Sequence, residues 1–545
     1  MGRIIINMEK AQFGMVGLGT MGRNFLLNVA EQGFSCIGFD LDAAKRQLLL
    51  EEGAGMKIAS AENVKDFVEA LAAPRKIMLL VPAGKIVDGV IENLLPHLEK
   101  GDIIIDGGNS HFTDTETREA YLAKQGIEFI GVGVSGGEEG ARHGASIMPG
   151  GNEGSFKHVQ PILEAASAKV NGEPCVAYMG ANSAGHFVKM VHNGIEYGLM
   201  QILAETYDFM FRVLKMNYAE MSDTFAKWND SELNSFLVEI TAEVLRKMDA
   251  ETNRPLVEMI LDKAAQKGTG KWTSQAAMDF GVPIPTIDSA VSMRQISAQK
   301  EVRMLIAEKY GSRQPFVNAE LPAEEAQTVA SRPVTSPKAA RAAAEVETAV
   351  SEQHKIHLSE DASKHLAQTV ENPSDEQRNA EIRESVGEDY EQLIEELKNA
   401  LLSSFIITYA QGMSLLQTAS VEKNYGLNLS EIARIWRGGC IIRSTLLEEM
   451  RRAYSDNPQL PNLILDDKFT ELLNNNREDW RAVNEKLMDS RIPSLCLSSA
   501  LAYFDAFRSE RLPANLIQAQ RDFFGAHTFQ RIDKEGSFHM EDWND

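Results

Sequence analysis

Four polar side chains with acid–base or hydrogen-bonding chemistry lie at helical spacing in one apolar stretch, residues 185–210: Lys189, His192, Asn193 and Glu196. Offsets of three, four and seven residues place all four on one face of a helix, and the apolar surroundings predict that this helix is buried. Burial lowers the pKa of a lysine and raises that of a carboxyl, so Lys189 is a candidate base and Glu196 a candidate acid. The same pattern also fits an internal Lys–Glu pair with a purely structural role.

A glycine-rich loop follows the first predicted strand and opens the first predicted helix. Its GxGxxG pattern is the fingerprint of a dinucleotide-binding fold, in which the glycines permit a tight turn, close approach of a pyrophosphate, and close packing of helix and strand. The N-terminus of the helix then faces the phosphates. We therefore expect six consecutive residues to bind a cofactor: Gly17, Leu18, Gly19, Thr20, Met21 and Gly22.

Asp40, at the end of the second predicted strand, bears on which dinucleotide binds. A carboxylate at this position accepts the ribose hydroxyls of NAD and repels the 2′-phosphate of NADP, so Asp40 favours NAD. The alternative is that Asp40 is a solvated strand-end residue and that an arginine such as Arg46 meets a phosphate.

Two further loops end apolar strands. Residues 106–110 read DGGNS and residues 133–137 read GVSGG. In an open α/β sheet, ligands bind at the carboxyl ends of the strands. We therefore expect both loops to lie at a ligand-binding site.

The predicted secondary structure that must position these groups changes along the chain from alternating strands and helices to helices alone. Up to about residue 181, short apolar runs alternate with amphipathic stretches, which predicts βαβ units and a mostly parallel sheet. Later segments have helical period and few strand signals. We expect an α/β Rossmann-like domain over 1–183, a large all-α substrate and dimerisation domain over 184–510, and a C-terminal tail over 511–545.

One segment differs in composition from the rest of the chain. Residues 318–388 contain no Phe, Tyr or Trp, while Ala, Glu, Ser and Pro accumulate there. Such a segment forms little core, so we expect a surface insertion near 318–388 that is partly helical and partly disordered.

Composition excludes several classes of function. The formal net charge of −23 argues against a nucleic-acid or anionic-membrane surface. The four cysteines form no CxxC pair, and no apolar run reaches the length of a membrane span. We expect a soluble, cytoplasmic protein.

Taken together, the motifs resemble those of the decarboxylating 6-phosphogluconate dehydrogenases, of the β-hydroxyacid dehydrogenase superfamily. The matching stretches are GLGTMGRN, IIDGGNS, GVSGGEEGAR, SIMPGG, VKMVHNGIEYGLMQ, GTGKWTSQAAMDFGVPIPTI and LIQAQRDFFGAHTFQR. The resemblance implies oxidative decarboxylation of 6-phosphogluconate to ribulose 5-phosphate and CO2 with reduction of NAD(P)+, in the pentose phosphate pathway and gluconate utilisation. The related 3-hydroxyisobutyrate-type dehydrogenases lack the HNGIEYG context, the GTGKWT segment and the long helical domain.

The resemblance also implies roles for two residues of the buried helix. Lys189 matches the general base that takes the proton of the C3 hydroxyl as hydride passes to the nicotinamide, and its ammonium then polarises the carbonyl while CO2 leaves. Glu196 matches the acid that protonates C1 of the enediol. No metal is implied, because an ammonium can stabilise the developing enolate.

The remaining implied ligands fall into three groups. The carboxylate and hydroxyls of the sugar acid are implied to contact Asn109, Ser135, Gly136, Gly137, His192 and Asn193. Its phosphate is implied to contact Tyr197, Lys271, Thr273 and Arg294. Arg521 and His527 match substrate-binding residues that in this family reach into the site of the partner subunit. The cofactor is implied to contact Asn109 and the loop Val81, Pro82 and Ala83 as well as the glycine loop. A homodimer with tail exchange follows, although Lys271 and Arg294 would also fit a solvated helix face.

The chain departs from the family pattern in three respects: residues that select the cofactor, one loop residue and one insertion. NADP-dependent members usually carry an Asn-Arg-Thr-like turn where this chain has Asp40-Leu41-Asp42, and a lysine is common where Pro82 stands. These residues of the chain thus favour NAD, whereas the cofactor usual in the family is NADP. Ala145 replaces a usual proline, which we expect to be tolerated, and the insertion near 318–388 is absent from typical members.

Two other functions remain open at this stage. The first is a dehydrogenase of another 3-hydroxy acid on the same scaffold, which would not depend on Lys271 and Arg294. The second is a catalytically silent dinucleotide-binding sensor whose insertion docks a partner. The presence of Lys189, Asn193 and Glu196 argues against the sensor.

Overall fold

The computed structural model describes residues 10–311 and 389–543. The expected insertion near 318–388 lies outside the described residues. Most described residues form one compact unit, whereas 258–261 and 301–311 are the described part of a second, small unit. The domain limits at 183 and 510 stay predictions.

The N-terminal part is a seven-stranded sheet flanked by helices. Its strands are β1 (Phe13–Val16), β2 (Cys36–Phe39), β3 (Ile58–Ser60), β4 (Lys76–Leu79), β5 (Ile103–Asp106), β6 (Glu128–Ser135) and β7 (Ser146–Gly151). The order is β3-β2-β1-β4-β5-β6-β7, and only β7 is antiparallel to its neighbour. The connecting helices are α1 (Thr20–Glu31), α2 (Ala43–Glu52), α3 (Val64–Glu69), α4 (Lys85–Leu94), α5 (Phe112–Ala123), α6 (Gly137–His143) and α7 (Glu153–Ala166), with a 3₁₀ turn at Leu95–His97. A short antiparallel pair, β8 (Lys169–Val170) and β9 (Glu173–Pro174), follows.

Helices dominate the rest of the described chain. They are α8 (Ala184–Arg212), α9 (Tyr218–Asn229), α10 (Phe236–Arg246), α11 (Leu256–Met259), α12 (Thr269–Asp279), α13 (Pro285–Ala298) and α14 (Lys300–Tyr310), then α15 (Asp389–Glu422), α16 (Leu429–Trp436), α17 (Leu446–Asp456), α18 (Asp467–Asn475), α19 (Arg477–Asp489) and α20 (Leu495–Phe507), with a 3₁₀ turn at Leu463–Leu465. Helix α8 packs against α12, α13 and α15, and its apolar residues join the largest core cluster. The expected Rossmann-like region followed by a large helical region is therefore confirmed.

Helix α8 also lies directly on the sheet. A Cβ added to Gly133 in β6 would lie 2.4 Å from the Cβ of Lys189, and one added to Gly150 in β7 would lie 2.2 Å from the backbone N of Gly185. Real Cβ atoms do not approach so closely, so these positions require glycine. The contact fixes the position of Lys189 relative to β6.

The last described residues form an extended tail. Helix α21 (Ala514–Gly525) is followed by an antiparallel pair, β10 (Phe529–Gln530) and β11 (Ser537–Phe538). Several large apolar side chains of this tail are exposed: Leu516, Ile517, Phe523, Phe524 and Ile532. Within residues 10–311 and 389–543, none of the helices combines the length and apolar character that crossing a bilayer requires.

Candidate active site

The glycine loop has the geometry that dinucleotide binding requires. Gly17 has φ 95°, and a Cβ added there would lie 2.5 Å from the carbonyl oxygen of Leu80. A Cβ on Gly22 would lie 1.9 Å from the carbonyl oxygen of Gly17, so helix and turn are in contact. Gly19 precedes α1, has nothing within 4 Å on its Cβ side, and caps the helix with no side chain. The N-terminus of α1 is thus open to an anion, and these residues fit a bound dinucleotide.

Asp40 connects this loop to the end of β2. Its Oδ2 accepts the backbone N–H of Leu18 at 2.8 Å, and its Oδ1 accepts that of Asp42 at 2.9 Å. Two cations lie at the same edge, because Lys45 Nζ is 3.4 Å from Oδ2 of Asp40 and Arg46 donates to the Asp40 carbonyl at 2.6 Å. The carboxylate keeps lone pairs for ribose hydroxyls. This edge of the sheet therefore holds both the carboxylate expected to accept ribose hydroxyls and the alternative phosphate ligand, Arg46.

A buried polar network holds the turn after β5. Asp106 accepts hydrogen bonds from Ser110 Oγ at 2.6 Å and from the guanidinium of Arg118 at 3.3 Å. Arg118 also donates to the carbonyl of Gly84 at 3.0 Å, so it links this turn to the loop at 81–84. Sequence reasoning missed Arg118, since an arginine inside an amphipathic helix carries no motif.

The expected cofactor-binding side chains of these two loops lie at the surface. Asn109, Pro82 and Ala83 are exposed, and Val81 is half-buried. They line the carboxyl ends of β4 and β5, as an open α/β sheet requires of a ligand site.

The candidate base and acid lie on α8 in an environment that shifts both pKa values toward neutrality. Lys189 is only 6% exposed; burial lowers its pKa, and the Glu196 carboxyl partly offsets this. Burial raises the pKa of Glu196, while Lys189 and Arg294 oppose the rise. A lysine that loses its proton easily and a carboxyl that keeps its proton are suited to base and acid roles respectively.

His192 joins α8 to the end of β6. Its Nε2 lies 3.1 Å from Ser135 Oγ, while its Nδ1 lies 3.1 Å from Asn193 Oδ1 and 3.9 Å from Glu196 Oε2. Burial, helped by the charge of Lys189, holds the pKa of His192 well below its usual value. His192 is therefore a neutral hydrogen-bonding group beside Lys189.

The SGG turn is supported by a segment that sequence reasoning missed. Gly136 has φ 121° and Gly137 φ 62°, and a Cβ added to Gly136 would lie 2.6 Å from the carbonyl oxygen of Gly439. The ring of Trp436 meets that of His192 edge-on at 5.6 Å between centroids. The supporting residues lie about 300 positions further along the chain, and no local sequence pattern predicts this contact.

Helix α12 contributes the GTGKWT residues. Asn193 Nδ2 donates to Thr269 Oγ1 at 3.3 Å. Thr273 is fully buried, and its Oγ1 lies within hydrogen-bonding distance of the carbonyls of Met190 at 2.9 Å and Thr269 at 3.0 Å, one of which accepts its single proton. The structure thus gives Thr273 a packing role between α12 and α8, and it leaves Lys271 exposed.

Arg294 is held in place by aromatic and backbone contacts. Its Cζ lies 3.4 Å from the centroid of the Tyr197 ring, and its NH1 donates to the carbonyl of Ala265 at 3.1 Å. Burial lowers the pKa of Arg294, while Tyr197 and Glu196 oppose the shift, and a guanidinium stays charged in proteins. A preorganised cation therefore lies against Tyr197, the residue that follows Glu196 on α8.

Arg521 and His527 lie at the far end of the tail. Both side chains are exposed, and Arg521 contacts Gln518 Oε1 at 3.2 Å within α21. Within the described chain, the structure does not bring them to α8.

Glu205 is a second buried carboxyl of α8 that sequence reasoning missed. It accepts the backbone N–H groups of Cys496 at 3.0 Å and Leu497 at 2.8 Å, which begin α20. Burial raises the pKa of Glu205 to about 7, against the hydrogen bonds from Cys496 and Leu497. It joins two helices and lies away from the acid–base pair.

Comparison with known proteins covers nearly the whole chain. Residues 12–180 match the model for the NAD binding domain of 6-phosphogluconate dehydrogenase, and residues 185–365 and 326–543 match that for its C-terminal domain. The NADP(+)-dependent, decarboxylating 6-phosphogluconate dehydrogenase of Bacillus subtilis is 44% identical over 534 residues, which cover 98% of this chain and 99% of the relative. The decarboxylating enzyme of Escherichia coli is 42% identical over 539 residues, covering 99% and 100%. The solved Plasmodium falciparum 6-phosphogluconate dehydrogenase, described in its apo form and in complexes with NADP+ and with 6-phosphogluconate, superposes with a TM-score of 0.82 at 38% identity and covers 97% of this chain and 100% of that one.

Proposed function

Because the chain belongs to the decarboxylating 6-phosphogluconate dehydrogenase family and oxidatively decarboxylates 6-phosphogluconate with a nicotinamide dinucleotide, we propose that α8 carries the chemistry, with Lys189 as base and Glu196 as acid. The observation that supports this most directly is the pair of opposed pKa shifts on one buried helix face. The bound dinucleotide supplies the hydride acceptor. Gly17–Gly22, the loop at 81–83 and Asn109 would hold it.

Lys189 acts twice in the proposed sequence. As the neutral amine it takes the proton of the C3 hydroxyl while the C3 hydride leaves, which gives a 3-keto acid. The resulting ammonium lies in a site where burial disfavours the charge. It therefore donates strongly to the C3 oxygen as the C1–C2 bond breaks, CO2 leaves and the bond electrons form the enediol.

Glu196 completes the reaction. Its carboxyl donates a proton to the carbon that has lost CO2, which becomes C1 of ribulose 5-phosphate, while the hydroxyl on the former C3 returns its proton to the Lys189 amine and becomes the ketone. Burial raises the pKa of Glu196, which favours the protonated carboxyl that this step needs. Ser135, the neutral His192 and Asn193 are hydrogen-bonding groups suited to the carboxylate and hydroxyls of the sugar acid.

The substrate phosphate is proposed to meet Arg294, Tyr197 and Lys271. Arg294 is fixed before binding by its stack on Tyr197, so little side-chain freedom is lost when the phosphate arrives. Thr273 contributes through packing, because its hydroxyl proton is already donated to a backbone carbonyl.

The tail is proposed to complete the phosphate site of a second subunit. Its exposed apolar side chains would be covered in a homodimer, and Arg521 and His527 would then reach the site of the partner subunit. Mixing two variants, each lacking one residue of the proposed site, tests this at substrate concentrations below KM. Lys189→Met and Arg521→Ala homodimers, once exchanged into mixed dimers, should partly restore activity, because one site then has both residues. No restoration would refute tail exchange.

For the cofactor we propose a preference for NAD over NADP. Asp40 places a negative charge at the end of β2, and Leu41 beside it is 90% exposed and uncharged. Arg46 and Lys45, together with the NADP(+)-dependent Bacillus relative, support NADP as the second candidate.

Leu41→Arg tests the cofactor proposal without removing the Asp40 hydrogen bonds to the glycine loop. The variant should gain kcat/KM with NADP relative to NAD by about tenfold, the effect of one charge-assisted contact. Leu41→Gln is the neutral control. An unchanged ratio in both variants would mean that the 2′ position is read elsewhere.

The decisive assay follows reduced-nicotinamide absorbance with 6-phosphogluconate, with NAD and NADP compared and released CO2 trapped. We expect one CO2 for each reduced cofactor, and loss of turnover by about 10⁴-fold in Lys189→Met, at the upper end of the range for acid–base groups since no water replaces a buried amine. Turnover of a non-phosphorylated 3-hydroxy acid instead would favour the alternative dehydrogenase. Binding of the dinucleotide without any turnover would favour the silent sensor.

A further inference from the structure

Asp522 is the one buried residue between 511 and 543, a segment that the structure describes throughout. Its exposed fraction is 0%, while apolar neighbours such as Phe523 and Phe524 are largely exposed. A carboxylate in the most enclosed position of a segment is stable only if its oxygens are hydrogen-bonded.

Both oxygens of Asp522 are fully used. Oδ1 accepts the backbone N–H of Thr528 at 2.9 Å and lies 2.9 Å from Nδ1 of His539. Oδ2 accepts the backbone N–H of Met540 at 3.0 Å and the indole N–H of Trp543 at 3.3 Å. One side chain therefore joins α21, the turn that follows it, and the last described residues.

The charge of Asp522 is maintained by these partners. Burial acts to raise the pKa of Asp522, but the hydrogen bonds from Met540, His539 and Thr528 outweigh burial, and the pKa is lowered. The group is a carboxylate that accepts four hydrogen bonds, which a neutral amide could not do.

The turn held by Asp522 has an unusual backbone. Ala526 has φ 49° and Thr528 has φ 60°, both in the left-handed region that non-glycine residues avoid. The Thr528 N–H is bound by Asp522, and the Thr528 carbonyl accepts a hydrogen bond from Gln518 at 2.5 Å. These two bonds stabilise a turn that the residues themselves disfavour.

The same turn positions the two substrate-binding candidates of the tail, Arg521 and His527. His527 lies between the two left-handed residues, and its ring meets that of Phe524 edge-on at 5.8 Å. Arg521 is the residue immediately before Asp522 on α21. The direction of the His527 side chain thus depends on the Asp522 contacts, which also fix this turn relative to the helix that carries Arg521.

We propose that Asp522 is a positioning residue for the reaction, which folds the tail in advance so that Arg521 and His527 enter the phosphate site of the partner subunit together. This inference rests on the proposed function, in which the tail acts in the partner's site. If only a fraction of tails is correctly folded, the apparent affinity for substrate falls by that fraction.

Asp522→Asn in the full chain is the test, with Asp533→Asn as the matched control. Asp533 is an exposed carboxyl of the same tail that pairs with Arg531 at 2.8 Å. We expect Asp522→Asn to raise KM for 6-phosphogluconate by about tenfold, to keep kcat within about twofold, and to leave KM for the dinucleotide unchanged, as expected when binding-competent tails become rare. Trp543 fluorescence should change in Asp522→Asn and not in the control.

Sedimentation of the same variants separates positioning from assembly. A rise in substrate KM with the oligomer intact supports the proposal. A parallel loss of kcat, dinucleotide affinity and oligomeric state would show a general structural role and overturn it.

Arg521→Ala separates the positioning role of Asp522 from the phosphate-binding role of the tail. If Arg521→Ala raises substrate KM and Asp522→Asn does not, the positioning role is wrong and the phosphate role of the tail stands. If neither variant changes substrate KM, both the proposed tail function and the role of Asp522 are refuted.

Discussion

Replacement of Glu196 by glutamine tests the acid half of the proposed mechanism. Glutamine keeps the shape of the side chain but has no proton to give to C1 of the enediol. The Glu196 side chain is 21% exposed, so water can reach this position and replace part of the lost function. We therefore expect kcat to fall by ~10²-fold, at the lower end of the range for a general acid. A hundredfold loss corresponds to ~2.7 kcal/mol of transition-state stabilisation.

The pH profile of kcat/KM gives the sharper test. The alkaline limb should disappear, because it reports ionisation of Glu196, whose pKa burial raises. The acidic limb reports protonation of Lys189. Glutamine and the protonated Glu196 are both uncharged, so the acidic limb should stay near its wild-type position.

The assay is steady-state reduced-nicotinamide absorbance across the pH range with saturating dinucleotide. Asp208→Asn is the control, because it makes the same carboxyl-to-amide change on α8 at a residue that pairs with Arg212. The control should keep both limbs. A Glu196→Gln enzyme with kcat within about twofold of the wild type, or with its alkaline limb in place, would refute the acid role.

Two other variants follow from the contacts of Arg294 and Glu205. Arg294→Lys loses the stack on Tyr197 and the fork geometry, so KM for 6-phosphogluconate should rise by about tenfold while kcat and the dinucleotide KM stay near wild-type values; an equal fall in kcat would place Arg294 in the chemistry instead. Glu205→Gln leaves one N–H at the start of α20 unpaired, which should lower the free energy of unfolding by ~1–3 kcal/mol at pH 5. Since the folded pKa of Glu205 is raised to about 7, the wild type loses stability as pH rises toward and through that value, and the glutamine variant does not. Denaturant unfolding from pH 5 to 8 should show the difference in free energy of unfolding between wild type and variant becoming smaller. A difference that grows with pH would contradict the raised pKa.

The parts of this molecule that follow local rules could be predicted from the sequence. Alternating apolar runs predicted the parallel sheet, the GxGxxG spacing predicted the loop before α1, and the offsets from Lys189 to Glu196 predicted one buried helix face. Each of these depends on residues close in sequence, whose periodicity is set by backbone geometry.

The groups that the sequence did not reveal act across long separations. Arg118 connects two loops. Glu205 accepts backbone N–H groups at the start of α20, nearly 300 residues away, and the Trp436 ring packs against His192. Asp522 is surrounded by exposed residues in sequence, so nothing local marks it as buried. Such contacts depend on which elements meet in three dimensions, and only the fold decides that.

The glycine contact between α8 and the sheet makes the enzyme vulnerable to very small mutations. Exchanging a glycine for alanine is often neutral or stabilising elsewhere. At Gly133, however, the new methyl would lie 2.4 Å from the Lys189 Cβ, and restoring ordinary contact would displace the helix by ~1 Å. A displacement of that size at a catalytic group can cost about 10²-fold in rate. Genetic drift that leaves every proposed catalytic residue intact can therefore still slow the reaction through the surface behind Lys189.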